Sequence, residues 1–142
     1  MQKRFGTRKK QKNNLAETAR QDRFAQSTDV YAVKASNYKG LRRGSPVYCR
    51  NNWHIHHAKN GGGQILVCVA GHGYYQEWGK PAQELRPGDV VNIPVGVKHW
   101  HGAAPDSWFS HLAVEVPGDE TSNEWLEAVD NTVYFKATGK EV

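Results

Sequence analysis

Two pairs of histidines sit at spacings that could do chemistry in this chain of 142 residues: His54 with His56 in "WHIHH", and His99 with His101 in "KHWHG". In an extended strand successive side chains alternate faces, so each pair presents both imidazoles on one side. Trp53, Ile55 and His57 then face the other way in the first pair, and Trp100 in the second. Neutral imidazole is the commonest protein ligand for metals, and two on one strand face can reach a single ion. One pair alone is weak evidence, because exposed histidines on an edge strand have the same spacing. Two pairs, joined by Gln64 eight residues beyond His56 and by His111 in "SHLAV", make a metal site as good a reading as exposed histidines. Taken singly, Gln64 reads as a hydrogen-bonded polar residue, and His57 and His72 as solvent-facing or loop residues.

Such pairs need strands to hold them. Residues 47 to 57 read as one strand, followed by the loop Lys59-Asn60-Gly61-Gly62-Gly63. The apolar run from Gln64 to Ala70 reads as a buried strand, and Gly71-His72-Gly73 as a bend or bulge. Residues 74–78 and 82–85 form a hairpin around Gly79-Lys80-Pro81. The turns Arg86-Pro87-Gly88-Asp89 and Pro94-Val95-Gly96 bracket a strand at 90–93, and strands at 97–102 and 108–116 follow. Thr121 with Glu124 has capping-box spacing and predicts the start of a short C-terminal helix. Short strands divided by turns, without alternating helices, predict an all-β antiparallel sandwich or barrel.

Composition separates a tail from this domain. Residues 1–44 hold twelve Lys or Arg against three acids, a net of +9, whereas residues 45–142 hold seven against eleven, a net of −4. The basic segment is poor in Val, Ile and Leu and reads as a solvated, partly disordered tail. Asn14 with Glu17 could cap a helix from Ala16 to Phe24. A basic arm invites a nucleic-acid reading, but "KRFGTRKKQK" has no interleaved aromatics beyond Phe5 and no nucleic-acid motif follows. Nucleic acid is therefore not an expected partner. No apolar run approaches the roughly eighteen residues of a membrane span, and the N-terminus lacks the apolar centre of a secretory signal, so the expected location is the cytoplasm. Cys49 and Cys68 form no metal or disulfide pattern and read as ordinary thiols.

The histidines and their flanking glycines resemble the two motifs of the cupin family. The first runs Gly, five residues, His-x-His, three or four residues, Glu, six residues, Gly. Here "WHIHHAKNGGGQILVCVAG" supplies His54, His56 and Gly71, with Gln64 at the glutamate position after a longer loop, and Tyr48 at the position of the first glycine. The second runs Gly, five residues, Pro-x-Gly, two residues, His, three residues, Asn. "GDVVNIPVGVKH" supplies Gly88, Pro94, Gly96 and His99, and Ala103 replaces the asparagine. The resemblance covers about residues 49–135 and does not extend to the strands that family members carry upstream. It implies a double-stranded β-helix, or jelly-roll barrel, over residues 45–142.

Within cupins the chain is similar to the cupin-type hydroxynitrile lyases and to small cupins related to those found with carboxymuconolactone decarboxylase domains. That likeness implies a divalent metal, manganese or iron with zinc or nickel as alternatives, held by His54, His56, Gln64 and His99. It places His101 and His111 over the open coordination positions as catalytic residues, with the ordinary imidazole pKa of about 6.5. Glutamine in place of glutamate leaves an all-neutral donor set, which favours Lewis-acid chemistry and argues against the two-His-one-carboxylate set of ferrous oxygenases. The implied function is a metal-dependent, lyase-like cleavage or proton abstraction on a small organic substrate. A non-catalytic metal- or ligand-binding cupin and a cupin dioxygenase are the alternatives. Tyr75, Trp100, Phe109 and Leu66 are available to wall the cavity, Trp53 and Trp100 to pack an outer layer or a partner subunit, and the expected assembly is a homodimer.

Overall fold

A computed structural model describes residues 32–38, 41–42, 45–46 and 48–140, the first three stretches as backbone. The helix expected over residues 16–24, and the rest of the basic tail up to residue 31, lie outside the described residues. In chain order the strands are β1 (Ala32–Tyr38), β2 (Leu41–Arg42), β3 (Ser45–Pro46), β4 (His54–His57), β5 (Asn60–Gly61), β6 (Gln64–Gly71) and β7 (Gly73–Glu77). They continue with β8 (Gln83–Leu85), β9 (Val90–Ile93), β10 (His99–Ala103), β11 (Phe109–Glu115), β12 (Gly118–Asp119) and β13 (Ser122–Trp125), followed by the helix α1 (Asn131–Thr138). None of the described helices is long and apolar enough to cross a membrane.

Two antiparallel sheets carry the fold, one in the order β1-β11-β6-β9 and the other in the order β13-β4-β10-β7-β8. This is the all-β architecture that the sequence predicts. Its reason is visible in β6, where Gln64, Leu66 and Cys68 are buried while Ile65 and Val67 are only half-buried. The strand thus has one inner face, as period-two alternation requires. Leu66, Cys68, Val91, Ile93, Phe109 and Ala113 from the first sheet meet Tyr75, Leu85 and Ala103 from the second in one buried cluster. β1, in a stretch without cupin-like sequence, pairs along β11 from Ala32 opposite Glu115 to Tyr38 opposite Phe109.

The chain passes from the first sheet to the second between β6 and β7, at Gly71-His72-Gly73. Gly71 has φ +79°, and a Cβ there would lie 2.1 Å from the Trp108 carbonyl oxygen, so only glycine fits both the conformation and the space. The β11–β6 register shifts between Ser110, opposite Ala70, and His111, opposite Cys68, so the bulge falls at Val69 inside β6 and not at the Gly71-His72-Gly73 bend.

β10 is buried at all five positions. His99, His101 and Ala103 face inward, while Trp100 belongs to a second cluster with Trp53, Val129 and Tyr134 on the outer face of the same sheet. The cover over that face is α1 and the segment before it. Asp130 Oδ1 caps the helix by accepting from the Val133 amide at 2.8 Å, and Gly139 closes it in a left-handed conformation at φ +67°. Arg50 fastens this layer by donating from Nε and Nη2 to the Val129 carbonyl, at 2.9 and 2.6 Å, with its guanidinium 4.4 Å from the Tyr134 ring centroid. Tyr48, where the motif has glycine, packs edge-on to Phe135 with ring centroids 4.8 Å apart.

The start of the C-terminal helix differs from expectation. Thr121 and Glu124 do not open it; residues 122–125 form β13 along β4, and the helix begins nine residues after Ser122, at Asn131. A capping box is a local pattern, and here a four-residue ladder to β4 satisfies the backbone instead. The segment 47–57 likewise narrows to β4 alone, plus one bridge between Arg50 and Gly102.

The Tyr134 hydroxyl donates to the Ala103 carbonyl oxygen at 2.6 Å in a buried setting. Tyr134→Phe should therefore destabilise the fold by about 1–3 kcal/mol. The check is a lower urea midpoint with unchanged m-value.

Candidate functional site

The alternation of β4 and β10, with the pairing of His54 opposite His99, brings the two histidine pairs together between the sheets. His54 and His99 ring centroids lie 4.1 Å apart, His54 and His56 5.2 Å, and His56 and His99 5.3 Å. One nitrogen from each of these three residues falls within 4.8 Å of the others, which positions them to bind one metal ion. His101 is 5.6 Å from His54, and His111 on β11 is 4.6 Å from His101. All five imidazoles and Gln64 are buried.

Hydrogen bonds decide which nitrogen faces the centre. His54 Nδ1 donates to the Asn52 carbonyl and His99 Nδ1 to the Val97 carbonyl, both at 2.9 Å. A carbonyl only accepts, so each Nδ1 carries the proton and each Nε2 keeps its lone pair. His56 Nδ1 donates to Asn123 Oδ1 at 2.7 Å and lies 3.4 Å from Glu115 Oε2. Gln64 Nε2 donates to Glu115 Oε1 at 2.7 Å, which turns its amide oxygen the other way. His56 Nε2, His99 Nε2 and Gln64 Oε1 are left buried, and no hydrogen-bond partner among the described residues reaches them. Buried acceptors of this kind are costly unless something electropositive meets them. A divalent cation fits this donor set: borderline imidazole nitrogens and a neutral oxygen, oriented from behind by carbonyl and carboxylate partners.

Burial also sets the charge. It pushes His99 down to about 3, helped by repulsion from His54, and His54 down to about 4. It pushes His111 down to about 4 and His101 well below the ordinary value. The expectation of ordinary values near neutrality for His101 and His111 is thus corrected, because neither ring has water to solvate a cation. His56 is the exception: burial disfavours its cation, but Glu115 and Asn123 outweigh that and raise its pKa.

Known proteins resemble this chain in sequence and in fold. No family model matches the chain. A crystal structure of a cupin-like protein from Thermotoga maritima is 39% identical to it, with a TM-score of 0.64 over 78% of this chain and 75% of that one. The chain belongs to the cupin family. A Klebsiella pneumoniae protein with a double-stranded β-helix domain, 15% identical, shares the fold with a TM-score of 0.52 over 70% of this cupin and 76% of that chain. An (R)-mandelonitrile lyase from Granulicella tundricola is 41% identical over 85 residues, which is 60% of this cupin and 62% of the relative's length.

Several residues of the site carry no motif. Glu115, which orients both Gln64 and His56, is readable in hindsight from alternation, since it lies four residues after His111 on the same face of β11. Asn123 and Trp125 lie opposite His56 and His54 on β13, a strand the capping pattern hides. The Trp125 indole is 61% exposed yet stacks on the His54 ring at 4.7 Å, so it stands at the mouth of the site. Leu66, Tyr75 and Phe109 lie in the inner cluster as expected, whereas Trp100 lies on the outer face and cannot line the cavity. His57 pairs with Glu124 and His72 with Glu84, both apart from the centre. A cleft of about 790 Å³, lined by Trp53, Gln76, Trp78, Lys80, Val133 and Lys136 among others, opens on the outer side and shares no residue with the buried imidazoles.

These shifts make stability depend on pH. Between about pH 6.5 and 4 the unfolded chain protonates His54, His99 and His111 while the folded chain does not, so stability rises with pH in that window. The contribution is complete above the unfolded pKa and disappears as pH falls through the folded values. His56, with its raised pKa, works in the opposite sense but is one group against three. Urea midpoints of the metal-free protein should fall from about pH 7 to pH 4.5, with a slope of up to about 1.4 kcal/mol per pH unit for each depressed histidine.

Proposed function

We propose that this cupin is a metal-dependent, lyase-like enzyme that acts on a small organic hydroxy compound, with a cyanohydrin as the test substrate. The observation that carries the reading is the set of buried acceptors, His56 Nε2, His99 Nε2 and Gln64 Oε1, gathered beside two further buried imidazoles. In this reading His54, His56, Gln64 and His99 hold the ion, manganese or iron, with zinc or nickel as alternatives. Bound there among neutral groups, it supplies Lewis acidity toward a substrate hydroxyl. The neutral donor set supports this over a ferrous oxygenase, whose set includes a carboxylate. Here the carboxylate of Glu115 stands behind Gln64 and His56 and keeps their acceptor atoms turned inward.

The remaining residues handle the proton and the apolar part of the substrate. His111, neutral because of its burial, accepts the hydroxyl proton. As the O–H electron pair becomes the carbonyl, the bond to the cyano carbon breaks and the departing cyanide takes the proton back from His111. His101, with its ring centroid 4.6 Å from that of His111, flanks the same space. Leu66, Tyr75 and Phe109 exclude water on one side and suit a small, partly apolar substrate. The name of the Granulicella relative supports the choice of mandelonitrile as the probe.

Metal-reconstituted protein should release benzaldehyde from mandelonitrile, and a chelator should abolish this. His111→Ala should lower turnover by about a hundredfold or more while metal content stays the same. Bound metal with no turnover would leave a binding protein rather than an enzyme. Glu115→Gln should weaken the affinity for a divalent ion by about 10–100-fold, read by competition with a chromogenic chelator.

A further inference from the structure

His101 is held differently from the three histidines beside it. Asn51 and His101 join through three hydrogen bonds: the Asn51 amide donates to the His101 carbonyl at 3.1 Å, the His101 amide donates to Asn51 Oδ1 at 2.9 Å, and Asn51 Nδ2 lies 3.0 Å from His101 Nε2. The second bond fixes the orientation of the side-chain amide. A backbone N–H can only donate, so the oxygen of Asn51 must face it, and the NH2 group must then face the ring. An NH2 group in turn can only donate, so His101 Nε2 is the acceptor. The neutral ring therefore carries its proton on Nδ1, the nitrogen turned away from Asn51. Where the partners of His56 and His99 accept from the ring, the partner of His101 donates to it, which leaves the N–H on the far nitrogen.

We propose that Asn51 is a positioning residue that locks His101 in the Nδ1–H form, so that His101 serves the reaction as a hydrogen-bond donor and not as a proton acceptor. The assignment of a reaction to this ring rests on the lyase reading, but the lock itself does not. It divides the work between the two rings outside the proposed ligand set: His111 accepts and returns the proton, and His101 donates a hydrogen bond to the atom on which negative charge gathers as the carbon–carbon bond breaks. A fixed donor of this kind stabilises charge without reorganising during the step. No proton leaves His101, so the balance of the reaction is unchanged. The same three hydrogen bonds anchor residue 51 to β10, so the segment that leads into β4 sets the tautomer.

The test is the ¹⁵N–¹H correlation spectrum of the histidine rings in full-length protein loaded with diamagnetic zinc, with His101 assigned through His101→Gln. Wild type should show the Nδ1–H pattern at His101, and an Nε2–H pattern would overturn the lock whether or not the protein turns over mandelonitrile. Asn51→Asp replaces the donor facing Nε2 with an acceptor, so the ring should lose the neutral Nδ1–H pattern. If it keeps that pattern, Asn51 is not what holds it. In the manganese-loaded enzyme, Asn51→Asp should lower kcat for mandelonitrile at least about tenfold with KM changed far less, since the donor acts on charge that develops after binding. An altered tautomer with unchanged kcat would refute the donor role. The wild-type spectrum alone decides the lock should Asn51→Asp fail to fold.

Discussion

Burying six polar side chains between two sheets is unfavourable unless each polar atom finds a partner, and the rest of the site follows from how this chain finds them. Each of His54, His56 and His99 spends one nitrogen on an acceptor behind it, and Gln64 spends its NH2 on Glu115. The partners outside the centre are all acceptors, two carbonyls, an amide oxygen and a carboxylate. For these four groups, unlike His101 with its Asn51 donor, that one-sidedness turns the protons of the neutral forms outward and leaves lone pairs facing in. The centre is therefore defined as much by Asn52, Val97, Asn123 and Glu115 as by the imidazoles, and a change to the orienting groups alters the site without touching it.

Within the five-stranded sheet β10 is dry on both faces, which ties the site to the C-terminal helix. Inward from β10 lie His99 and His101; outward lies Trp100, under Tyr134 and Val129. Arg50 binds the outer layer to the stretch of chain that carries Asn51 and leads into β4, and Tyr134 binds it to Ala103 on β10. The helix lies far from the chemistry in sequence, yet it packs against the back of the strand that presents two of the buried imidazoles.

Much of the architecture was legible because alternation is a strong signal in short strands. The inward faces of His54 with His56 and of His99 with His101 followed from period two, and the turns at Gly71–Gly73, 86–89 and 94–96 followed from glycine and proline. What was not legible depended on pairing. Thr121 and Glu124 have the spacing of a cap, and no local feature says that residues 122–125 will instead ladder onto β4, where Asn123 meets His56. Tertiary pairing overrides a local preference of that strength. The pKa values of His101 and His111 were missed for a related reason, since burial is a property of the assembled sheets and not of the letters. Glu115 carries no motif, because its meaning depends on standing opposite Gln64 across the β11–β6 ladder.

β10 touches no solvent on either face, and that limits how a chain of this build can change. Each of its five positions is bounded in volume by both layers, so a residue added or lost there would shift imidazoles and outer core at once. Novelty in what such a pocket accepts has to arise at its rim, on pieces such as β13, which contributes the exposed Trp125. Those pieces are short, partly wet and free of the double constraint. They are where a laboratory library aimed at new substrates could vary the chemistry and leave the scaffold standing.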